Sequence, residues 1–168
     1  MERIGASARS GHLWVMRLVI AWLSLFMLAA CRTESVRPSG AGGSVGDITL
    51  RDWRATNSVG LAGATLFGII ESGGVIDTLS SVRSDGAAET MLHFSEQSGG
   101  MRAAGAFLVS PNASVTLRDR GPHAMMRTLS RTLEPGDSIT VTLHFQQSGE
   151  LTLRVPVFRL TEAATELP

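Results

Sequence analysis

Apolar and polar residues alternate along most of the chain that follows residue 47. The alternation is clearest over residues 113–118, 138–145 and 150–158, and a period of two is typical of strands with one buried face. Residues 64–70 form a more continuous apolar run, as in a strand buried on both faces, and residues 87–94 are a further candidate strand. No stretch shows the period of an amphipathic helix. The pattern therefore predicts an all-β fold.

Clusters of Gly, Pro, Asn, Asp and Ser separate the apolar segments and predict the turns between strands. Residues 134–137 read Glu-Pro-Gly-Asp, and Pro in the second position with Gly in the third favours a type II turn. Residues 146–149 are expected to close a hairpin between the last two strands. Pro156 is expected at a sheet edge or near a strand end, because it lacks a ladder donor. Roughly seven or eight short strands within residues 48–160 predict one β-sandwich or small-barrel domain.

An apolar run of 13 residues, 18–30, begins after Arg17 and ends at Cys31. A membrane-spanning helix needs about 20 apolar residues, so this run is too short and is typical of a signal-peptide core. The segment Leu28-Ala29-Ala30-Cys31 resembles a bacterial lipobox, in which cleavage precedes a lipidated Cys. We therefore expect a lipoprotein signal peptide over residues 1–30 and a lipid on Cys31. An ordinary secretory signal with an unrelated Cys is the alternative.

The segment between this leader and the alternating region has a different composition. Residues 31–47 are rich in Ser, Gly and Pro and lack apolar periodicity, which predicts a flexible tether. Residues 161–168 are expected to form a disordered tail. The sequence thus predicts a signal peptide, a tether, one β-domain over residues 48–160 and a short tail. Both Met1 and Met16 fit as the start of the leader.

Charge and cysteine content exclude several classes of protein. The 15 basic residues are all Arg and balance 15 acidic residues, so no basic tract of the kind that binds nucleic acid is present. Cys31 is the single cysteine, which excludes a disulfide scaffold and a zinc site with two or more thiolates.

Methionine and histidine residues are concentrated in one part of the predicted β-domain. Within 36 residues the chain holds two His and four Met, namely Met91, His93, Met101, His123, Met125 and Met126. Thioether sulfur is a soft ligand and neutral imidazole an intermediate one, so a site built from both suits Cu(I) better than Zn(II), Ca(II) or Mg(II). His123 and Met125 share one face of an extended segment, whereas Met126 points the other way, towards the core. A hairpin-like connection after His93 would bring Met101 near it.

The same residues also fit a domain without a metal site. Methionine commonly fills gaps in β cores, and a single His on a strand is usually solvated. His144 lies in the middle of an alternating strand and is interpreted as a solvated histidine that binds no metal. Met91 lies two residues before His93 and shares its face of the strand, so it is an alternative to Met101 as a second sulfur donor.

The region from residue 48 to residue 157 resembles the periplasmic copper chaperones of the PCu(A)C family. The family signature is His, about ten residues, Met, twenty-one residues, and then His-x-Met. Here His93 is followed after seven residues by Met101, and twenty-one further residues precede His123-Ala124-Met125. Phe94-Ser95 stands where the family often has Glu-Met. Other segments similar to the family are Trp53-Arg54-Ala55-Thr56, Asp77-Thr78-Leu79, Leu133-Glu134-Pro135-Gly136-Asp137 and Ser148-Gly149-Glu150.

The resemblance implies a cupredoxin-like Greek-key β-sandwich or barrel. It implies Cu(I) as the bound metal, with four ligands: His93, Met101, His123 and Met125. Met91 is a possible accessory ligand because of its place on the strand, not because of the resemblance. It further implies a periplasmic or cell-envelope copper chaperone, not an enzyme, and the lipobox adds attachment to a membrane through the lipid on Cys31. The partner would be a copper acceptor, either a cytochrome c oxidase copper-centre subunit or another assembly chaperone.

Three other functions fit parts of the sequence. A blue-copper electron carrier needs a Cys ligand inside the domain, and the single Cys is the proposed lipid site. A hydrolase is disfavoured because no Gly-x-Ser-x-Gly motif accompanies the histidines. A lipid-anchored β-sandwich interaction module that binds no metal remains the alternative.

Overall fold

The computed structural model describes residues 39–96 and 100–165, and within them it contains eleven strands and one short helix. In chain order these are β1 Ala41–Val45, β2 Ile48–Thr56, β3 Gly63–Ser72, β4 Asp77–Ser84, β5 Ala87–Ser95, β6 Met101–Ala103, β7 Phe107–Val109, β8 Ser114–Leu117, β9 Pro122–Leu129, β10 Ser138–Phe145, β11 Gly149–Phe158 and α1 Leu160–Thr165. The predicted all-β class is confirmed. The predicted signal peptide and Cys31 lie outside the described residues.

The strands form one curled sheet that closes halfway into a barrel. Its order is β6-β5-β9-β3-β2-β11-β10-β4-β7, with β1 added beside β2 and β8 beside β3. Neighbouring strands are antiparallel except β2 and β11, which run parallel where Val157 meets Ala55. The curl turns one face of the sheet inward, and the alternating apolar residues of the sequence line that face.

The core is built from the apolar residues that alternate along these strands. Its largest fully buried side chains include Trp53, Phe67, Phe145, Leu66, Leu79, Met126 and Ile139. Trp53 lies flat over Gly68, where a Cβ atom would come within 2.6 Å of the indole ring. The indole N–H donates to the carbonyl oxygen of Ile69 at 3.2 Å. This close approach fixes β2 against β3, since only a residue without a side chain fits beneath the ring.

The predicted turn at residues 134–137 and the predicted last hairpin are confirmed. Gly136 has φ of +97°, and the N–H of Asp137 donates to the carbonyl oxygen of Glu134 at 3.0 Å, as a type II turn requires. β10 and β11 form the expected hairpin, with Phe145 paired to Gly149.

The predicted tether was wrong for the residues nearest the domain. Residues 31–47 were expected to be flexible, but Ala41–Val45 forms β1 and pairs with β2. The turn between them uses Gly46 at φ of +54°, and Ala41 and Val45 pack against the core. A strand with two central glycines has no apolar alternation of its own. Pairing with β2 decides its conformation, which the sequence pattern does not reveal.

The predicted disordered C-terminal tail was also wrong for the residues nearest the domain. Residues 161–168 were expected to be disordered, but residues up to Thr165 belong to helix α1. Ala163 is buried in a small second cluster with Phe67 and Phe158. The helix is too short to show a periodic pattern, and its contacts with these rings stabilise it.

Candidate metal centre

Two neighbouring antiparallel strands, β5 and β9, carry all the predicted site residues except Met101, and they place them in direct register. His93 is paired with His123, and Met91 is paired with Met125. Side chains of directly opposite residues have Cβ atoms about 4.5–5.5 Å apart, and residues two apart along a strand are about 6.6 Å apart on the same face. The two pairs therefore form a small rectangle of two imidazoles and two thioethers.

This rectangle lies on the face of the sheet that is turned away from the core. Along β9, Ala124 and Met126 are fully buried in the core and alternate with His123 and Met125. The predicted inward orientation of Met126 is confirmed. On β5, Leu92 is buried in the core, so the neighbouring His93 faces outward with the rectangle. Strand periodicity alone thus separates the soft donors from the core methionine.

The hydrogen bonding of His123 fixes which ring nitrogen is free. Its side chain is buried, with 5% exposed, and Nδ1 lies 3.0 Å from the carbonyl oxygen of Gly121. A carbonyl oxygen only accepts, so Nδ1 carries the hydrogen and Nε2 keeps its lone pair. Backbone hydrogen bonds of this kind commonly orient metal-binding histidines. The carbonyl of Gly121 also accepts from the N–H of Ser95 at 2.9 Å, which ties the turn before β9 to the end of β5.

The environment of His93 favours its neutral form. Burial lowers the pKa of His93 below its ordinary value of 6.5, the neighbouring His123 and Arg127 lower it further, and Glu89 opposes them. Its Nδ1 atom is buried and has no hydrogen-bond partner among the described residues. Only a neutral imidazole binds a metal, so this environment keeps His93 in the form that a metal site requires.

The two imidazole rings are close enough to bind one ion together. Their centroids are 5.8 Å apart and their planes meet at 83°. An ion bound about 2.0 Å from a nitrogen of each ring lies roughly 3 Å from each centroid, which allows this separation. Within the described ranges, no three His, Cys, Asp or Glu side chains converge on one point. The additional donors on this face are therefore thioethers, and the residues present fit a soft cation.

Met101 lies next to the rectangle of imidazoles and thioethers but is not one of its four residues. Met101 lies on the edge strand β6 and is paired with Ser95 of β5. Ser95 lies two residues beyond His93 and on the same face of the sheet. Met101 is 63% exposed, whereas Met91 and Met125 are partly buried. The hairpin-like connection predicted between His93 and Met101 is confirmed, because β5 and β6 pair directly. The structure brings both candidate sulfur donors, Met91 and Met101, to the same face as His93, on opposite sides of it.

Two charged residues beside the site were missed by sequence reasoning. Arg127 continues the face of His123 and Met125 at the next alternate position, and it is paired with Glu89 on β5. A guanidinium N–H of Arg127 lies 4.0 Å from the sulfur of Met91. Extending the alternation of His123 and Met125 by two residues would have identified Arg127. Glu89 could only be identified from the register of β5 against β9.

The remaining histidine of the β-domain lies apart from this site. His144 is on β10 in the other half of the sheet, where its Nδ1 lies 2.8 Å from the hydroxyl of Ser80. Among the residues that the structure describes, no helix has the length and apolar character needed to cross a bilayer.

Solved structures with the same fold define the class of domain. The copper-bound PCuAC domain from PmoF2 superposes with a TM-score of 0.63 at 22% identity, over 70% of this chain and 97% of that one. The apo PCuAC domain from PmoF1 gives a TM-score of 0.63 at 20% identity, over 70% and 98%. DR1885 from Deinococcus radiodurans, in its Cu(I) form, gives 0.55 at 19% identity, over 79% and 87%. The described domain therefore has the cupredoxin-like fold of PCuAC domains, as the sequence resemblance predicted.

The family of the chain follows from its sequence. Residues 48–157 match the LpqE-like family, which is described as a lipoprotein family. This match spans more than half of the chain, and the protein belongs to the LpqE-like family. No curated protein sequence shows significant similarity to the chain.

Proposed function

We propose that this protein is a copper chaperone of the cell envelope that binds Cu(I) on the outer face of strands β5 and β9. The observation that carries the proposal is the direct pairing of His93 with His123 beside the pairing of Met91 with Met125. Neutral nitrogen and thioether donors without a thiolate among them suit Cu(I) better than harder cations. His93, His123 and Met125 are the proposed central ligands, and Met101 or Met91 supplies a second sulfur.

The structural neighbours support copper as the cargo. One of them is a copper-bound PCuAC domain and another is DR1885 in its Cu(I) form. Their identity to this chain is low, so the support from them concerns the fold and the position of the site on it. The donor set of this chain supplies the independent chemical support.

The ligands also suit a protein that releases its cargo. All the proposed donors are neutral, so the site offers no charge to hold a monovalent cation. A cysteine thiolate is a stronger ligand for Cu(I) than a thioether or imidazole, and an acceptor with such a ligand would remove the metal. Arg127 adds a positive charge beside the site, which further limits how tightly a cation is held. Binding and release of this kind involve no chemical turnover.

The cellular role is proposed on the leader and the family. Lipidation of Cys31 would attach the domain to a membrane of the cell envelope through the segment that precedes β1. The lipoprotein description of the LpqE-like family supports this anchor. We propose that the acceptor is a cytochrome c oxidase copper-centre subunit or another chaperone in its assembly.

Anaerobic titration of the purified protein with Cu(I), against a competing chromogenic chelator, tests the proposal. A complex of one Cu(I) per chain is expected, and His123→Ala should weaken binding by about tenfold or more. Met126→Leu is the matched control, because Met126 lies on the same strand but faces the core. Absence of stoichiometric binding by the unaltered protein would instead favour a metal-free interaction module.

A further inference from the structure

The outer face formed by β6, β5 and β9 holds one sulfur donor more than a four-ligand site of two imidazoles and two thioethers requires. Met91, Met125 and Met101 all face the same side of the sheet as the two histidines. The positions of the three sulfurs are not equivalent, and the difference bears on how copper leaves the protein. The inference rests on the proposed function.

Met91 belongs to the most compact set of donors. It lies directly opposite Met125, and the adjacent pair on the same two strands is His93 and His123. All four are held by β5 and β9, nine and eight residues long, which lie inside the sheet with a strand on each side. A guanidinium nitrogen of Arg127 lies 4.0 Å from the sulfur of Met91, so this contact opens when the sulfur binds copper. Because the four positions are directly paired on neighbouring strands, their side chains can approach one ion from the same face of the sheet.

Met101 approaches from the opposite direction. Its partner Ser95 is separated from Met91 by four residues of β5, a distance of about 13 Å along the strand. Met101 therefore lies on the far side of the histidine pair from both Met91 and Met125. Its strand β6 has three residues, all exposed, and stands at the edge of the sheet. A flexible side chain at an edge can reach the histidines without forming part of the compact set.

We infer that Met91, His93, His123 and Met125 are the resident Cu(I) ligands, and that Met101 is an exchange ligand that contacts copper during its entry and exit. In the resident complex the thioether of Met101 stays exposed to solvent. During transfer it replaces Met91 or Met125 on the metal and brings the ion to the open edge of the sheet. An acceptor thiolate then displaces the remaining ligands in turn. No bond other than the ligand-to-metal bonds changes, and the copper remains Cu(I).

The assignment is tested by comparing Met91→Leu and Met101→Leu in the full-length protein. Leucine has nearly the volume of methionine but lacks the sulfur atom. Met126→Leu is the control for the effect of a Met-to-Leu substitution away from the metal site. Copper-edge X-ray absorption counts the sulfur ligands, competition titration gives the Cu(I) affinity, and stopped-flow transfer to bathocuproine disulfonate gives the release rate.

Met91→Leu is expected to lose one sulfur scatterer and to bind Cu(I) about tenfold more weakly. Met101→Leu is expected to keep both sulfur scatterers and to change the affinity less than about threefold, while releasing copper about tenfold more slowly. Loss of a sulfur scatterer in Met101→Leu alone, or an unchanged release rate in that variant, would overturn the assignment.

A second measurement is independent of affinity. With methyl-labelled methionine, addition of Ag(I), a redox-inert soft cation, should shift the signals of Met91 and Met125 strongly. The Met126 signal should not move, and that of Met101 should broaden or move little. A shift of Met101 as large as that of Met125 overturns the inference. An unaltered protein that takes up neither Ag(I) nor Cu(I) would overturn the proposed function itself.

Discussion

His93 on β5 and His123 on β9 face each other with ring centroids 5.8 Å apart and ring planes at 83°. The backbone carbonyl of Gly121 holds one ring, and the other has a buried nitrogen without a partner among the described residues. Both rings lie on the same face of the sheet as Met91 and Met125. Under the proposed function, copper binding therefore requires both imidazoles to be neutral.

Cu(I) affinity should fall with decreasing pH, because protons compete for the imidazoles while thioethers do not titrate. Burial, His123 and Arg127 lower the pKa of His93 below 6.5, so the midpoint of its protonation lies below that value. Affinity measured from pH 8 to pH 5 is expected to be level at first and to decline below about pH 6.5. An affinity that stays level down to pH 5 would indicate a site made of thioethers alone.

Arg127 should weaken the hold of the site on its cation. Its charge lowers the pKa of His93, and the same field disfavours Cu(I) at that ring. Arg127→Gln is expected to raise the pKa of His93 and to tighten Cu(I) binding about twofold to fivefold at low salt. Histidine titration by NMR and chelator competition give the two quantities.

Glu89 provides the matched opposite change, since its charge raises the pKa of His93. Glu89→Gln should lower that pKa and weaken Cu(I) binding. Arg83→Gln, on β4 and paired with Glu150, should leave both quantities unchanged. Equal effects of all three substitutions would contradict a local electrostatic cause.

Cys31→Ser should release the protein from the membrane fraction or leave it as an unprocessed precursor, with the β-domain still folded. Stable attachment takes more than one acyl chain, which lipoprotein processing at a Cys supplies. Membrane fractionation and mass spectrometry of the N-terminal peptide measure the outcome. Correct cleavage with continued membrane attachment in the variant would refute the lipobox interpretation.

Asp77 should contribute to stability against acid. Its buried carboxylate accepts from the backbone N–H groups of Thr78, Gln147 and Ser148 at 2.7–3.0 Å. Burial acts to raise its pKa, but these hydrogen bonds outweigh burial, and the pKa lies below its ordinary value of 3.8.

A lowered folded-state pKa gives stability that is present above pH 3.8 and is lost as pH falls through the folded value. Asp77→Asn should lower the free energy of unfolding at pH 7 by about 1–3 kcal/mol, because an amide accepts these bonds less well. The variant should also show less loss of stability between pH 4 and pH 2 than the unaltered protein. Urea unfolding across this range measures both, and parallel pH profiles would contradict the role given to Asp77.

Gly68→Ala should destabilise the domain by about 1–3 kcal/mol through overpacking. The new methyl group would lie 2.6 Å from the indole of Trp53, so either the ring or β3 must move. Thermal unfolding followed by tryptophan fluorescence measures the change. Gly74→Ala is the control, because its Cβ meets only Asp47 at 4.0 Å, and equal destabilisation by both would refute the packing argument.

The sequence by itself determined the all-β class, the principal strands and the face on which His123, Met125 and Met126 lie. These follow from local periodicity, since successive side chains of a strand point to opposite faces wherever the strand is placed. The type II turn at Gly136 and the last hairpin followed from local turn chemistry in the same way.

Only the tertiary structure decided which candidate ligand residues are neighbours across the strands. Nothing local in the sequence relates Met91 to Met125 or Arg127 to Glu89, because register between strands 30 or more residues apart depends on how the whole sheet assembles. The same reason explains β1, whose glycines carry no pattern until β2 supplies hydrogen-bond partners, and α1, which is stabilised by contacts of Ala163 with Phe67 and Phe158. Sequence spacing favoured Met101 as the second sulfur donor. The sheet sets Met91 opposite Met125, because β5 pairs with β9 at those positions.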